Sequence, residues 1–277
     1  MWLARKHGYR NVRARRLIVI KYGGHAMNDE SGAFAHAIAA AISQGIELVI
    51  VHGGGPQIDA ALVSAGIQSQ SIGGFRVTTP EIFEIVQSVL AGEVCANVVS
   101  NLRKSGVNAA GISGRDGNTL QGIRMTKIVD GTPAELGLVG EVTKVDTEMI
   151  ESLLEEKFTP VISPLANEIG ADNGLNVNAD LAAAAIAGGL KAESLIVLTD
   201  VAGIYRNFPD PTSIISEISA TELAAMKNDF QGGMAPKVAA CLAAIAAGAT
   251  AVRIIDGNSA ENLLLALAGS GGTLVHA

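Results

Sequence analysis

The segment LIVIKYGGHAM, Leu17–Met27, joins a short apolar strand to a lysine and two glycines, and this pattern decides the fold. The segment VIVHGGGPQI, Val49–Ile58, repeats the arrangement, because a second apolar strand runs directly into three glycines. Glycines at a strand end expose backbone N–H groups and leave room for an anion to approach. Tight strand-to-helix turns would explain either loop alone, but two such loops together predict an anion-binding cradle.

Apolar strands and helical segments alternate along the rest of the chain. The predicted strands cover 17–22, 47–51, 107–112, 158–163, 194–200 and 250–256. The predicted helices cover 32–43, 56–65, 80–104 with Thr79 as N-cap, 146–157, 180–188 and 234–247. Glycine-punctuated residues 114–143 predict hairpins over the sheet edge. The alternation predicts an α/β fold with a mostly parallel open sheet and helices on both faces.

Charge is unevenly distributed along the chain. The formal net charge is −7, but residues 1–16 carry six basic and no acidic side chains, so the remainder, with 14 basic and 27 acidic residues, is near −13. An acidic body argues against nucleic acid as the main partner. The basic leader lacks the apolar region of a secretory signal. A short solvated extension is its simplest interpretation, and a targeting or membrane-surface arm is the alternative.

Cysteine usage and apolar run length indicate the compartment. Cys95 and Cys241 have neither CxxC nor metal-ligand spacing, and unpaired thiols fit a reducing cytoplasm. The longest apolar run, Val238–Thr250, is well short of the roughly 20 residues that span a bilayer. We therefore expect a cytoplasmic protein without a membrane partner.

Several common functional motifs are absent from the sequence. There is no GxxxxGK[ST], no GxGxxG after a strand and no GxSxG, and the five histidines show no metal-binding pattern. His25 and His52 each lie beside a glycine loop, where a solvated or structural histidine is the simpler interpretation than a ligand.

Six polar residues, at four places along the chain, stand out against this background. Lys21 ends an apolar strand, where its ammonium needs an anion: either a ligand or a carboxylate such as Asp180. Arg76 lies in a predicted hairpin, where its planar fork suits a carboxylate, although a surface role is equally consistent. Asn176, Asn178 and Asp180 precede a helix, for which capping is the obvious role. Lys237 lies in the first turn of a predicted helix. A cation is unfavourable at that end of a helix unless negative charge binds nearby.

Nine motifs in one order carry a resemblance over nearly the whole chain, from about Leu17 to Thr273. They are KYGGHAM, HGGGPQI, GFRVT, GISGRDGN, GLVGEV, NVNAD, LTDVAGI, GGMAPKV and RIIDG. With them the chain resembles the N-acetylglutamate kinases of the amino acid kinase family. The resemblance implies a three-layer αβα sandwich and ATP-dependent phosphorylation of the side-chain carboxylate of N-acetyl-L-glutamate in arginine biosynthesis.

The resemblance also implies a division into lobes. Residues 17–188 would form the amino-acid-substrate and dimerisation lobe, residues 189–277 the nucleotide lobe, and residues 1–16 a basic extension. The boundary coincides with a composition shift near Gly188, and nothing there reads as a flexible linker, so we expect both lobes to share one sheet. Homodimerisation through the N-terminal lobe is implied as well.

Site residues follow from the same resemblance. Lys21 and Lys237 would flank the transferred phosphoryl group, with Asp180 holding both ammonium groups. The substrate would be bound by Gly54, Gly55, Arg76 and Asn176. Arg76 would bind the α-carboxylate of the substrate. Gly23, Gly24 and residues 200–204 (Asp200, Val201, Ala202, Gly203 and Ile204) would bind the nucleotide, and Mg²⁺ would be held mainly by the ATP phosphates.

Two alternatives stay open. One is a related carboxylate kinase acting on a free or carrier-bound aminoadipate, because the acyl pocket cannot be read from the sequence. The other, from a different class, is an inactive metabolite-sensing module, which would be expected to have lost Lys21 or Lys237. Both lysines and Asp180 are present, which favours the enzyme.

The two chain ends depart from the pattern of arginine-inhibited relatives. Those relatives resemble one another in a long N-terminal helix that joins dimers into hexamers and in a C-terminal His…LLLE…GxGT segment that binds arginine. Here Glu261 lies near the expected histidine, Ala266 replaces the glutamate, and the glycine turn at Gly269–Thr273 is shortened.

We therefore predict weak or absent inhibition by arginine, and a dimer rather than a hexamer. Titration of the kinase reaction with arginine checks the first expectation, and light scattering after size exclusion checks the second. Strong inhibition at sub-millimolar arginine would show that the altered C-terminal segment still forms an effector site.

Overall fold

The structure, a computed structural model, describes residues 16–23, 29, 31–230 and 234–277. Residues 1–15, which make up nearly all of the predicted basic extension, lie outside the described residues, as do Gly24 and His25. The division at residue 188 stays a prediction about lobes, although the strands on either side of it belong to one sheet.

The strands alternate with helices in the order that the sequence predicts. The strands are β1 Leu17–Tyr22, β2 Glu47–His52, β3 Ser71–Ile72, β4 Phe75–Arg76, β5 Ala109–Ser113, β6 Leu120–Arg124, β7 Val139–Val145, β8 Thr159–Ser163, β9 Leu165–Glu168, β10 Gly174–Val177, β11 Ser194–Thr199, β12 Ile204–Tyr205, β13 Ile214–Ile215, β14 Glu217–Ser219, β15 Ala251–Asp256 and β16 Thr273–His276.

The helices cover the rest of the secondary structure. They are α1 Ala33–Ser43, α2 Gly55–Ser64, α3 Pro80–Gln87, a π-helical segment Ser88–Val94, α4 Cys95–Lys104, α5 Glu148–Glu155, α6 Ala179–Gly189, α7 Ala220–Ala225, α8 Met234–Ala246 and α9 Ala260–Leu267. Short 3₁₀ turns cover Asp116–Asn118, Pro211–Ser213 and Lys227–Asp229.

An eight-stranded sheet forms the central layer, in the order β14-β16-β15-β11-β1-β2-β8-β5. All neighbours in this sheet run parallel except β15 and β16. All six residues of β1 are buried, as expected for a central strand covered on both faces. Helix α1 contacts both α4 and α9, whereas α6 packs on α8 and against β1, β2 and β11. These two groups complete the predicted three-layer αβα sandwich.

The long helix predicted over 80–104 is present but not uniform. Thr79 caps it, because its side-chain oxygen accepts a hydrogen bond from the Ile82 N–H at 3.2 Å. Its middle, Ser88–Val94, is π-helical, and Gly92 lies within that segment. The helix is 25 residues long and apolar enough to cross a membrane by length and composition, but nine of its side chains belong to the main hydrophobic core. It therefore packs as a core helix.

A second, smaller sheet lies outside the sequence-based prediction. The predicted hairpin region contains β6 and β7, which pair antiparallel as expected. However, β9 and β10 join them to close a four-stranded barrel in the order β10-β7-β6-β9. The strand β10 leads directly into Asn178 and α6, so this barrel sets the position at which α6 begins.

Close packing of α6 on α8 depends on one glycine. A Cβ added at Gly188 would overlap the Cβ of Ala247, just beyond the end of α8. A Cβ at the adjacent Gly189 would lie no closer than 3.1 Å to its nearest neighbours, atoms of Val145. The two glycines therefore differ in how much space they leave.

We expect Gly188→Ala to lower the free energy of unfolding by about 1–3 kcal/mol, because overpacking forces the two helices apart. Gly189→Ala, the matched control, is expected to cost clearly less. Urea unfolding of both variants checks this. Equal stability of the two variants would mean that the α6–α8 contact does not depend on a missing side chain at Gly188.

Candidate active site

The predicted site residues converge at the carboxyl ends of the central parallel strands. Lys21 and Gly23 lie at the end of β1, and Gly53–Gly55 follow β2. Pro164 follows β8, and Asp200 follows β11. In open α/β sheets this edge is the usual place for a ligand. The alternation of strands and helices therefore brings residues that are far apart in sequence to one crevice.

A cavity of about 280 Å³ at this edge contains most of the predicted substrate residues. Seven predicted residues line it: Lys21, Gly23, Gly54, Gly55, Arg76, Asn176 and Asp180. Apart from Lys21, Arg76 and Asp180, the lining is glycine backbone, amides and apolar side chains, which suits a small polar anion. Gly24, also predicted here, lies outside the described residues.

Asp180 joins the two predicted lysines. Its Oδ1 lies 3.2 Å from Lys21 Nζ, and its Oδ2 accepts a hydrogen bond from Lys237 Nζ at 2.9 Å. The three side chains are 6%, 11% and 18% exposed, in the order Asp180, Lys21 and Lys237. Each ammonium has three N–H donors, so each retains donors for a bound anion.

Helix α6 places this carboxylate. Asn178 is its N-cap, and the Asn178 side-chain oxygen accepts hydrogen bonds from the N–H groups of Asp180 and Leu181 at 2.9 and 3.2 Å. The capping role that the sequence suggested is therefore confirmed for Asn178. The cap fixes the first turn, and with it the direction in which the Asp180 side chain leaves the helix.

The charge state of Asp180 follows from opposing effects. Burial by itself would raise the pKa of this carboxyl, but the ammonium groups of Lys21 and Lys237 outweigh burial and hold the pKa below its ordinary value. Asp180 is therefore ionised at neutral pH. The cluster of two ammonium groups and one carboxylate carries a net charge of +1, which favours a bound anion.

Two glycines in the cavity are required by close contacts rather than by turns. A Cβ at Gly23 would lie 2.7 Å from Lys21 Nζ, so any larger residue would displace the ammonium. A Cβ at Gly54 would lie 2.5 Å from Leu90 Cδ2, a side chain of the π-helical segment. These positions therefore keep both the lysine and the floor of the cavity in place.

Arg76 lines the same cavity and belongs to the β3–β4 hairpin. Its Nη1 contacts Asp59 Oδ1 at 2.7 Å and donates to Ser69 Oγ at 2.6 Å. The Asp59 side chain is 60% exposed and the Arg76 side chain only 15%. Asn176 donates from Nδ2 to Thr78 Oγ1 at 3.1 Å, which holds its amide beside the same hairpin.

A second cavity, of about 530 Å³, lies beyond β11. Asp200 and Val201 line it, in agreement with the predicted nucleotide segment, and so does Lys237. Ala202, Gly203 and Ile204 do not. Gly203 and Ile204 are buried, and the Ile204 N–H donates to Thr273 Oγ1 at 2.8 Å, so this part of the segment anchors the loop to β16.

The two cavities meet at the ion-pair cluster. Asp180 and Lys21 line the first cavity, Lys237 lines the second, and Asp180 contacts both lysines. A group passing between ligands in the two cavities would therefore pass beside two ammonium groups. Among the described residues, no group of three or more His, Cys, Asp or Glu side chains has the arrangement of a metal site.

Comparison with known proteins agrees with this geometry. The model of the amino acid kinase family matches residues 16–256. The chain belongs to the amino acid kinase family. It is 47% identical to an acetylglutamate kinase of Arthrobacter sp. (strain FB24) over 255 residues, which cover 90% of this chain and 82% of that protein. It is 43% identical to an acetylglutamate kinase of Kineococcus radiotolerans over 272 residues, or 95% and 88% of the two chains.

Among solved structures, the chain is similar to an N-acetylglutamate synthase of Neisseria gonorrhoeae in complex with coenzyme A and N-acetyl-glutamate. The TM-score is 0.78 at 26% identity, over 95% of this chain and 59% of that one. A similar fold therefore also occurs as part of a longer protein with a different name.

Sequence reasoning missed much of the second cavity. Its lining includes aromatic and apolar side chains that lie outside all nine motifs: Tyr205, Phe208, Met226 and Phe230. The rings of Tyr205 and Phe208 meet edge to face at 5.4 Å. The signal available was the position of Tyr205 and Phe208 in the loop after a parallel strand, where ligand contacts are expected. Leu90 in the first cavity carried no comparable signal, whereas Val139 lies in the motif GLVGEV but had no predicted role.

His52 lies directly beneath the second glycine loop. It is fully buried, with Nδ1 2.7 Å from the Gly53 carbonyl oxygen and Nε2 3.0 Å from Ser163 Oγ. Burial lowers its pKa to about 4, against the partly compensating hydrogen bond to Gly53. The imidazole is therefore neutral at neutral pH, and the expectation of a structural histidine fits its burial. His25 lies outside the described residues.

We expect this histidine to make stability depend on pH. An unfolded histidine binds a proton near pH 6.5 and the folded His52 only near pH 4, so acid favours the unfolded chain. The free energy of unfolding should fall by roughly 3 kcal/mol between these pH values on account of His52, and no further below them. Above pH 6.5 this contribution is constant.

Urea unfolding across pH 7 to 4.5 measures this slope. His52→Asn should remove most of it, whereas His36→Asn, at an exposed histidine, should leave it in place. An unchanged slope in the His52 variant would mean that other groups bind the protons.

Proposed function

We propose that the protein transfers the γ-phosphoryl group of ATP to the side-chain carboxylate of N-acetyl-L-glutamate, giving N-acetyl-L-glutamyl 5-phosphate for arginine biosynthesis. The observation that carries the proposal is the Lys21–Asp180–Lys237 cluster at the junction of two cavities. The identity to acetylglutamate kinases over nine-tenths of the chain supports the choice of substrate.

The chemistry of this transfer explains which groups the site needs. A carboxylate is already ionised at pH 7, so no general base has to activate it. The difficulty is to bring two anions together while negative charge spreads over the phosphoryl group. Positioning and electrostatic stabilisation should therefore supply most of the catalysis. The Lys21–Asp180–Lys237 cluster, together with the glycine N–H donors of the first cavity, fits that requirement.

Each residue then has a definite part in the proposal. Lys21 and Lys237 bind the phosphoryl oxygens from opposite sides, and Asp180 positions both ammonium groups. Gly54 and Gly55 offer backbone N–H groups to the phosphoryl and substrate oxygens. Arg76 binds the substrate α-carboxylate, and Asn176 the acetamido region. Gly23 and Gly24 border the phosphates.

The nucleotide would occupy the second cavity, with its phosphates directed to Lys237. The apolar lining that includes Tyr205 and Phe230 suits a planar base, and Asp200 adds a carboxylate to the same cavity. Since the described residues lack a multi-residue metal site, Mg²⁺ would be bound mainly by the phosphates, where it would neutralise their charge. The protein's own contribution there is the Lys237 ammonium.

The assembly and location of the enzyme belong to the same proposal. We infer a homodimer through the N-terminal lobe, residues 17–188, with the nucleotide lobe at 189–277. A cytoplasmic location fits the two free, buried cysteines. The alternatives remain a kinase for an aminoadipate-type acid and an inactive binding module. The intact lysine–aspartate cluster argues against the latter.

An assay that traps acyl phosphate as hydroxamate tests the reaction. The acceptor panel would contain N-acetylglutamate, glutamate, aspartate and N-acetylaminoadipate, each with MgATP. We expect turnover confined to N-acetylglutamate. Turnover on N-acetylaminoadipate alone would move the function to the first alternative. Binding of ATP without turnover of any acid would favour a carrier-bound substrate or a binding role.

Two substitutions separate the proposed roles. Lys237→Ala should lower kcat far more than it raises the KM for N-acetylglutamate, because its ammonium acts mainly on the transition state. Arg76→Ala should chiefly raise that KM. Lys144→Ala and Arg124→Ala are matched controls, because Lys144 is exposed on β7 and Arg124 pairs with Glu168 outside the cavity. The opposite pattern in the two site variants would contradict the assignment.

A further inference from the structure

The peptide bond between Gly53 and Gly54 is attached to the protein through one of its two polar groups. Its carbonyl oxygen, on Gly53, lies 2.7 Å from His52 Nδ1. Its N–H, on Gly54, has no acceptor within the part of the chain that the structure describes. The neighbouring groups are held otherwise: the Gly53 N–H donates to the Tyr22 carbonyl at 2.8 Å, and the Gly54 carbonyl accepts from Ile58 N–H at 2.9 Å.

Peptide geometry couples these two groups. The bond is trans, since the described residues contain a cis peptide only at Phe208-Pro209. In a planar trans peptide the C=O and the N–H point in opposite directions. A carbonyl held on the side of the buried imidazole therefore directs the Gly54 N–H away from it, toward the cavity that Gly53 and Gly54 line.

Glycine makes this coupling necessary. A peptide between two glycines has no Cβ to restrict its rotation, so sterics alone do not fix its plane. A Cβ at Gly54 would lie 2.5 Å from Leu90 Cδ2, so a side chain there would require the buried Leu90 to shift. The orientation of this N–H has to be fixed by another group, and His52 is the side chain in contact.

Ser163 fixes the imidazole in turn. The Gly53 carbonyl can only accept, so Nδ1 must carry the single proton of a neutral imidazole. Nε2 is then an acceptor that lies 3.0 Å from Ser163 Oγ, and the same Oγ lies 3.1 Å from the Leu90 carbonyl oxygen, so its single proton can be donated to only one of the two at a time. Leu90 belongs to the π-helical segment, so this chain of contacts runs from β8 through β2 to the floor of the cavity.

We propose that His52 is a positioning residue for phosphoryl transfer: its Nδ1–H fixes the Gly53–Gly54 peptide so that the Gly54 N–H points at the transferred phosphoryl group. This inference rests on the proposed function, because it assigns one donor to that reaction. His52 itself touches neither substrate. Its effect is transmitted through one peptide plane.

Two substitutions divide the functions of the ring. The amide nitrogen of asparagine can take the place of Nδ1, and that of glutamine the place of Nε2. His52→Asn should therefore keep the bond to the Gly53 carbonyl and lose the one to Ser163, whereas His52→Gln should do the reverse. Both remove the imidazole from the same buried site. Val161→Ala, a buried position on β8 away from the cavity lining, controls for loss of stability alone.

Steady-state kinetics with N-acetylglutamate and MgATP, together with melting temperatures, tests the proposal. We expect His52→Gln to lower kcat about 30-fold or more, short of the roughly 10²–10³-fold cost of removing an oriented donor because the N–H is misdirected and not removed, with less than a threefold change in KM. His52→Asn should stay within about fivefold of wild type at a similar melting temperature, and Val161→Ala should retain full kcat. Equal losses in both His52 variants, or no loss in either, would overturn the proposal.

A second measurement does not depend on activity. Long-range ¹⁵N–¹H spectra of histidine-labelled protein report which ring nitrogen of His52 carries the proton. Protonation of Nδ1 from pH 6 to 8 is expected, and an Nε2–H tautomer would overturn the proposal whatever the kinetics show. Absence of turnover in wild-type protein would instead count against the proposed function, and the tautomer would still decide whether His52 holds the peptide.

Discussion

One buried carboxylate determines the relative positions of the two cationic groups in this protein. Asp180 lies between Lys21 of the sheet and Lys237 of α8, at 3.2 and 2.9 Å. Removing one partner of a buried ion pair typically costs about 3–5 kcal/mol, because a charge is left uncompensated. Two lysines without Asp180 would repel one another in a poorly solvated cavity. The cluster is therefore stable as a unit of three, and its net positive charge is what a bound phosphoryl group would meet.

The surrounding structure can be understood as support for this unit. Lys21 is held by the register of β1 against β11 and β2, so its position is that of the sheet. Asp180 is placed by the Asn178 cap at the start of α6, and Lys237 by the packing of α8 on α6. That packing depends on the absence of a side chain at Gly188, more than two helical turns from the carboxylate. Gly188, although distant from the site, therefore affects the position of Lys237 through the packing of α6 on α8.

Much of this arrangement could be predicted from the sequence. Five strands of the central sheet are apolar runs in the sequence: β1, β2, β8, β11 and β15. Ligands bind at the carboxyl ends of such strands, so the glycine loops and Lys21 are expected to lie close together. The capping function of Asn178 could also be predicted from the sequence. For these strands and for the Asn178 cap, the local sequence pattern agrees with the position in the fold. They could therefore be predicted from this sequence alone.

The remaining features depend on contacts that leave no local pattern. The π-helical turn that puts Leu90 in the cavity lies within an ordinary helical sequence, and the strands β9 and β10 are short and partly polar. Of the predicted nucleotide segment, Asp200 and Val201 line the second cavity, whereas Gly203 and Ile204 are buried and the Ile204 N–H donates to Thr273 on β16, a contact between distant strands that the local sequence does not reveal. The partnership of Arg76 with Asp59 and Ser69 joins a hairpin to its neighbours and could not be inferred from spacing.

The two lysines are held in different ways, and this difference places a geometric demand on Asp180. Lys21 cannot shift without the central sheet, whereas Lys237 is carried by a helix whose distance from the sheet is set by side-chain packing. The carboxylate therefore has to span a fixed gap between a position on the sheet and one on a helix. A longer acidic side chain would conserve the charge and lose this spacing. Both the negative charge and the length of the Asp180 side chain are therefore constrained.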